Sequence, residues 1–238
     1  MRRTILNTAS LLVLAAALTG VAQAADLPVY TKAPAPVVEA QSPWMIRLRA
    51  LGVIPDGDSP VYTFGAPLST RSGLDISQQV VPELDISYFF TENLAAELIL
   101  GVTRHSITGQ NTLAGVPIGK STLLPPTLTI QYHFTSFGAF KPYIGVGVNY
   151  TTFFDTKAAN VPGTGGLAVT GLSIGDSWGA AAQFGFDYML DRHWGINVDV
   201  KKLWLRPEFS ATTNVGVPVV GTAHIDPWLV GAGITYRF

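Results

Sequence analysis

The chain has 238 residues, a net charge of −1, 13% charged and 47% apolar residues, and no cysteine. Ordinary soluble domains carry about 25% charge. The composition excludes intrinsic disorder, which needs high charge and low hydrophobicity. The near-neutral balance offers no basic face for nucleic acid, and the missing cysteines exclude disulfides and thiolate metal sites.

The first elements in chain order are a leader and a spacer. Arg2 and Arg3, the apolar run Leu11 to Leu18 and the small residues Ala22-Gln23-Ala24 form a secretory signal peptide over residues 1–24, with cleavage expected after Ala24. Without the two arginines, thirteen bases face sixteen acids. Residues 25–43, interrupted by Pro28, Pro34 and Pro36 and closed by Pro43, read as an extended Pro-rich linker. After residue 25 no apolar run approaches the ~18–20 residues of a membrane helix.

From Trp44 to Phe238 eight segments alternate with period two, the signal of strands. The first puts Trp44, Ile46, Leu48 and Ala50 on one face, with Arg47 and Arg49 on the other. The second sets Val80 to Tyr88 against Glu83, Asp85 and Ser87. The third sets Ala96 to Val102 against Glu97, Ile99 and Gly101. The fourth, Leu124 to Phe134, opposes Thr127, Thr129, Gln131 and His133. The fifth, Pro142 to Tyr150, opposes Tyr143, Gly145, Gly147 and Asn149. The sixth, Trp178 to Tyr188, opposes Gln183, Gly185 and Asp187. The seventh, Trp194 to Val200, opposes Asn197, Asp199 and Lys201. The eighth, Trp228 to Phe238, opposes Gly231, Gly233, Thr235 and Arg237. Short turns follow segments two, four and six, and long Gly/Ser/Thr/Asn/Pro-rich loops follow segments one, three, five and seven. All long loops therefore emerge at one end, as in an outer-membrane barrel.

Alternation alone also fits a soluble sandwich with the apolar face buried. Aromatic spacing separates the two. Trp178 and Tyr188, Trp194 and Trp204, and Trp228 and Phe238 each lie ten residues apart on one face. Ten residues at ~3.3 Å span roughly 33 Å. Tilted by about 40°, that length projects to about 25 Å, the apolar band between two aromatic girdles. The reading is an all-β, eight-stranded antiparallel transmembrane β-barrel over residues 44–238, with the Pro-rich linker in the periplasm and the barrel in the outer membrane, surrounded by its lipid.

The segment Pro82-x-Leu84-x-x-x-Tyr88-Phe89-x-Thr91-x-Asn93 with Glu97-Leu98 resembles the second hairpin of OmpW-family outer-membrane proteins. So do Tyr132-His133-Phe134, Pro142-Tyr143-x-Gly145-x-Gly147-x-Asn149-Tyr150, and the ending from Asp226-Pro227-Trp228 through Tyr236-Arg237-Phe238. Trp44, Arg47 and Pro55 fit the family's first strand. The Pro-rich lead is longer than the family pattern. The resemblance implies an eight-stranded barrel whose narrow lumen passes small hydrophobic molecules. It also implies that Tyr236 and the terminal Phe238 form the signal read by the barrel-assembly machinery.

Two motifs are decoys. Gly171-Leu-Ser173-Ile-Gly175 matches the nucleophile elbow but lacks its strand-turn-helix setting. Gly163-Thr-Gly165-Gly-Leu-Ala168 has no helix after it to hold a phosphate. His105, His133, His193 and His224 are scattered without metal-ligand spacing. His105 and Ser106 are adjacent and point to opposite faces. No enzyme, cofactor or metal site is expected.

The inward positions carry the functional reading. Arg47, Arg49, Glu83, Asp85, Glu97, Asp187, Asp199, Lys201 and Arg237 lie in the short-turn half. Charges so confined must pair, and an eight-stranded barrel is only just wide enough for its side chains, so they read as a crosslinked plug. Towards the long loops the inward residues turn apolar: Leu51, Val53, Phe153, Leu203 and Leu229 form an expected vestibule. Pro82, Pro126 and Pro227 lack a ladder donor and weaken the wall where they stand. A monomeric channel or binding site for small apolar solutes follows. The alternatives are a structural or surface-interaction barrel with a closed, packed lumen, and an outer-membrane enzyme acting on lipid.

Overall fold

A computed structural model describes residues 42–56, 59–64, 66–69 and 73–238. The expected signal peptide and nearly all of the Pro-rich linker lie outside the described residues, as do Gly57 and Asp58 of the first long loop. The described chain holds strands β1 (Trp44–Ile54), β2 (Val61–Thr63), β3 (Ala66–Ser69), β4 (Leu74–Ile76), β5 (Gln79–Phe89), β6 (Leu94–Gly101), β7 (Thr103–Gly109) and β8 (Pro117–Leu124). It continues with β9 (Thr127–His133), β10 (Phe140–Ala158), β11 (Val169–Ile174), β12 (Ser177–Met189), β13 (Trp194–Trp204), β14 (Glu208–Thr213), β15 (Pro218–Thr222) and β16 (Trp228–Arg237).

Eight of these strands close a ring. The antiparallel order is β1-β5-β6-β9-β10-β12-β13-β16, and β16 returns to β1 with Leu48 opposite Ile234. They coincide with the eight alternating segments, with one correction. The fourth segment was expected to run unbroken from Leu124 to Phe134. Pro125 and Pro126 split it, so Leu124 ends β8 and β9 begins at Thr127. Neither proline can donate to a ladder, and there Tyr150 N–H bonds the carbonyl of Pro126 at 3.1 Å instead.

The outward face is the apolar one. Leu48, Leu84, Leu98, Leu128, Ile144, Val146, Phe184, Val198 and Val230 are exposed on the barrel wall. At the short-turn rim Trp44 packs on Tyr88, Tyr132 on Phe134, and Tyr236 on both Trp194 and Phe238, with ring centroids 4.8–5.0 Å apart. At the opposite rim Tyr150 packs on Trp178 at 4.8 Å, and Trp204 and Trp228 are exposed. A soluble sandwich would bury these rings. Two rim turns share one design. Phe90 and Leu190 N–H bond the carbonyls of Leu94 and Trp194 at 2.8 Å, while Thr91 Oγ1 and Asp191 Oδ1 accept two following backbone N–H groups each.

Beyond the upper belt the expected long loops are largely β-structure. Strand β10 runs on past the belt to pair with β8, and β8, β7 and β4 follow in order. A second sheet, β11-β14-β15-β2-β3, faces them. Here the polarity of alternation inverts. Arg104, Ser106 and Thr108 point out, while His105, Ile107, Ile118, Leu123 and Phe209 are buried in an inner apolar cluster. Lipid surrounds the lower wall and water the upper, so the same period of two sorts residues oppositely above and below.

Candidate functional site in the lumen

The lower lumen is filled by buried charge. Arg47 forms a bidentate pair with Asp187 (Nε–Oδ1 3.0 Å, Nη2–Oδ2 2.6 Å) and also reaches Glu97 and Ser87. Arg49 lies 2.9 Å from Glu83, 2.5 Å from Asp85 and 3.5 Å from Asp199. Its contacts to Glu83 and Asp85 are close charge pairs rather than aligned hydrogen bonds. Lys201 Nζ sits 2.8 Å from both Glu83 and Asp199. Five carboxylates thus meet three cations, and neutral side chains supply the remaining donors. Tyr143 donates to Asp199 at 2.9 Å, Gln131 to Glu97 at 2.7 Å, Thr235 to Asp187 at 2.6 Å and Asn197 to Asp187 at 3.0 Å. Glycines make the room: a Cβ at Gly185 would stand 2.6 Å from the Tyr143 hydroxyl. The sequence reading found the charges and missed these neutral partners, because parity marks a residue as inward but not as a hydrogen-bond donor to a particular acid.

Above the plug the lumen becomes an apolar shaft. Leu51, Val53, Leu203 and Leu229 pack with Ala181 and line the lower of two neighbouring cavities, whose floor includes Glu83 and Lys201. Phe153 is not in this tier. It is half-buried in the upper cavity with Leu74, Ile107, Leu123, Leu172 and Phe209, because β10 carries it past the belt into the second apolar cluster. His105, Leu123 and Ile225 line both cavities. The cavities are small, with about 30 Å³ in the upper and about 50 Å³ in the lower. One water needs roughly 10–15 Å³, so each cavity has room for only a few waters.

The wall beside the lower cavity is incomplete. The β5–β6 ladder runs from Phe89 to Glu83 opposite Gly101, and pairing resumes at Ser77, whose N–H bonds the carbonyl of Ser106 of β7 at 3.1 Å. Between them residues 79–82 pair with β1 alone. The carbonyl of Pro82 points at Gly101, so its ring nitrogen, which carries no hydrogen, faces the same unpaired side. Gly101 and Thr103, across from this unpaired stretch, line the lower cavity.

The closed eight-stranded ring has counterparts among known proteins. The OmpW family profile matches residues 41–238. The chain belongs to the OmpW family. An uncharacterized outer-membrane protein, y4mB of Sinorhizobium fredii, is 50% identical over 219 residues, 91% of this chain and 90% of that one. The crystal structure of the outer membrane protein OprG from Pseudomonas aeruginosa is 30% identical with a TM-score of 0.70, covering 83% of this chain and 97% of that one. The dibenzothiophene metabolism operon protein PahQ of Pseudomonas aeruginosa is 29% identical over 85% of this chain and 92% of its own. The protein is an OmpW-type barrel of the outer membrane.

The remaining expected site residues of this OmpW barrel fall as follows. Arg237 does not join the plug. It lies at the periplasmic mouth, its guanidinium carbon 4.2 Å over the Phe89 ring, in an open polar cavity of about 420 Å³ with Glu92, Asp191 and Arg192. The last strand carries it below Asp187, out of reach of a salt bridge. His133 is inward as expected, 2.9 Å from Gln131 and stacked between Phe89 and Tyr143. Ser173 of the elbow-like motif is exposed on β11, paired with Ser210, with no helix after it. The stretch from Gly163 holds a single 3₁₀ turn, Thr164–Gly166.

Proposed function

We propose that this OmpW barrel takes up small hydrophobic molecules from outside, holds them in the apolar shaft above the plug and releases them sideways into the membrane beside Pro82. The observation that carries this reading is the lower cavity. Its floor is a paired Glu83–Lys201 contact, its wall is aliphatic apart from Thr103, His105 and Thr127, and its side borders the stretch of β5 left unpaired towards β6. An ion would lose hydration there with nothing in exchange. An apolar solute gains about 0.8 kcal/mol per buried CH₂. A relative named for an operon of dibenzothiophene metabolism supports the same solute class.

The second reading is a structural or surface-interaction barrel whose lumen is only packing, and the small cavity volumes favour it. Leu51→Asp separates the two. In the transport reading it admits water, raises ion conductance in planar bilayers and weakens toluene binding in nanodiscs. Wild-type protein that binds no toluene supports the packed alternative. Large, stable wild-type ion currents contradict the proposal. The reading is of a conduit rather than a catalyst. Because the ring closes on itself and leaves no edge to pair, we take the barrel to work as a monomer. We take Tyr236 and Phe238, at the periplasmic rim, as the signal to the assembly machinery.

A further inference from the structure

His105 stands where the two apolar cavities meet and contributes to both walls. Its side chain is buried, with 4% exposed. Nδ1 lies 2.5 Å from the carbonyl oxygen of Ser77. A carbonyl only accepts, so Nδ1 carries the hydrogen. Burial pushes the imidazole below its ordinary pKa, against the smaller upward pull of the Ser77 carbonyl, so the ring is neutral at pH 7 and Nε2 is an acceptor. Among the described residues no protein group bonds Nε2. The cross-strand neighbour Ser121 is already engaged with Thr156 at 2.8 Å. The upper cavity is otherwise aliphatic and aromatic apart from these two side chains. A shaft serving hydrocarbons alone has no use for an unpaired acceptor on its wall.

We propose that His105 determines specificity in the shaft: through Nε2 it selects small apolar molecules that carry one hydrogen-bond donor, such as phenols and alcohols, over hydrocarbons of the same size. The proposal rests on the shaft being a binding site for apolar solutes. A site built around a hydrogen bond discriminates against the ligand that lacks the donor, because its own polar group is then left unpaired. A purely apolar wall has no such preference.

Toluene and phenol have the same number of heavy atoms and differ in a methyl for a hydroxyl. Their binding to the full chain in nanodiscs, with empty nanodiscs subtracted, gives an affinity ratio that is independent of the amount folded. The ratio of phenol to toluene affinity should fall about three- to tenfold in His105→Phe, the worth of one neutral hydrogen bond. His105→Gln, which keeps a donor and an acceptor, should retain most of it. Ser106→Ala, which removes a hydroxyl on the exposed outer face of the same strand, should leave it unchanged. Toluene bound with the same ratio in wild type and His105→Phe overturns this proposal and leaves the transport reading standing. A ratio that collapses with Ser106→Ala also overturns it. Failure of wild type to bind either solute overturns both.

Discussion

Glu97 concentrates the chemistry of the plug in one residue. It accepts from Arg47, from Ser87 at 2.7 Å, from Gln131 at 2.7 Å and from Gln183 at 3.2 Å, and it is fully buried. Removing one partner of a buried pair strands the other charge, at about 3–5 kcal/mol. Glu97→Ala should therefore lower the melting temperature in detergent clearly. A silent Glu97→Ala would mean that the charges are solvated independently and the plug is no crosslink. Arg237→Ala, by contrast, removes a cation stacked on Phe89 at an open mouth and should cost far less in the same melt. The two arginines were indistinguishable in the sequence. Both sit at inward parity near a rim, and only the register between strands reveals that Arg47 meets Asp187 while Arg237 passes below it.

At the scale of the strand, the wall has two kinds of residue to test. Leu84 faces out beside Leu48 and Leu100. Leu84→Arg should cost roughly 2–4 kcal/mol near mid-membrane, read as loss of heat resistance in lipid, and an indifferent response would mean that this face meets water. Pro82 tests the opening. Pro82→Ala returns a backbone donor to the unpaired side of β5, so exchange of bound toluene between shaft and lipid should slow severalfold in NMR line widths. Unchanged exchange would place the exit elsewhere. The membrane strands were legible because lipid rewards an apolar face along a whole strand, as from Ile46 to Ala50 or from Ile144 to Val148. The strands above the belt were not. In β7, Arg104 and Ser106 point out and His105 and Ile107 point in, the reverse of the pattern below. Gly, Pro and polar residues dominate these short strands, so they read as loops. Parity marks Leu51, Val53, Leu203 and Leu229 as inward, and they pack in one tier, while Phe153 packs with the higher cluster, because its height depends on the extension of β10 past the belt.

For the whole molecule, closure, plug and shaft act together. Eight strands leave just enough lumen for interior side chains, and this chain divides that lumen into a charged lower half and an apolar upper half. Paired charge fills the lower half, and the unpaired side of β5 lies beside the cavity directly above it. The most direct test maps a bound solute by nuclear Overhauser contacts in lipid nanodiscs with methyl-labelled protein. The account predicts contacts from toluene to Leu51, Leu203, Leu229 and Thr103, and none to Met45 or Thr235 below and within the plug. Contacts reaching Met45, or no contact with any residue of the shaft, would contradict it.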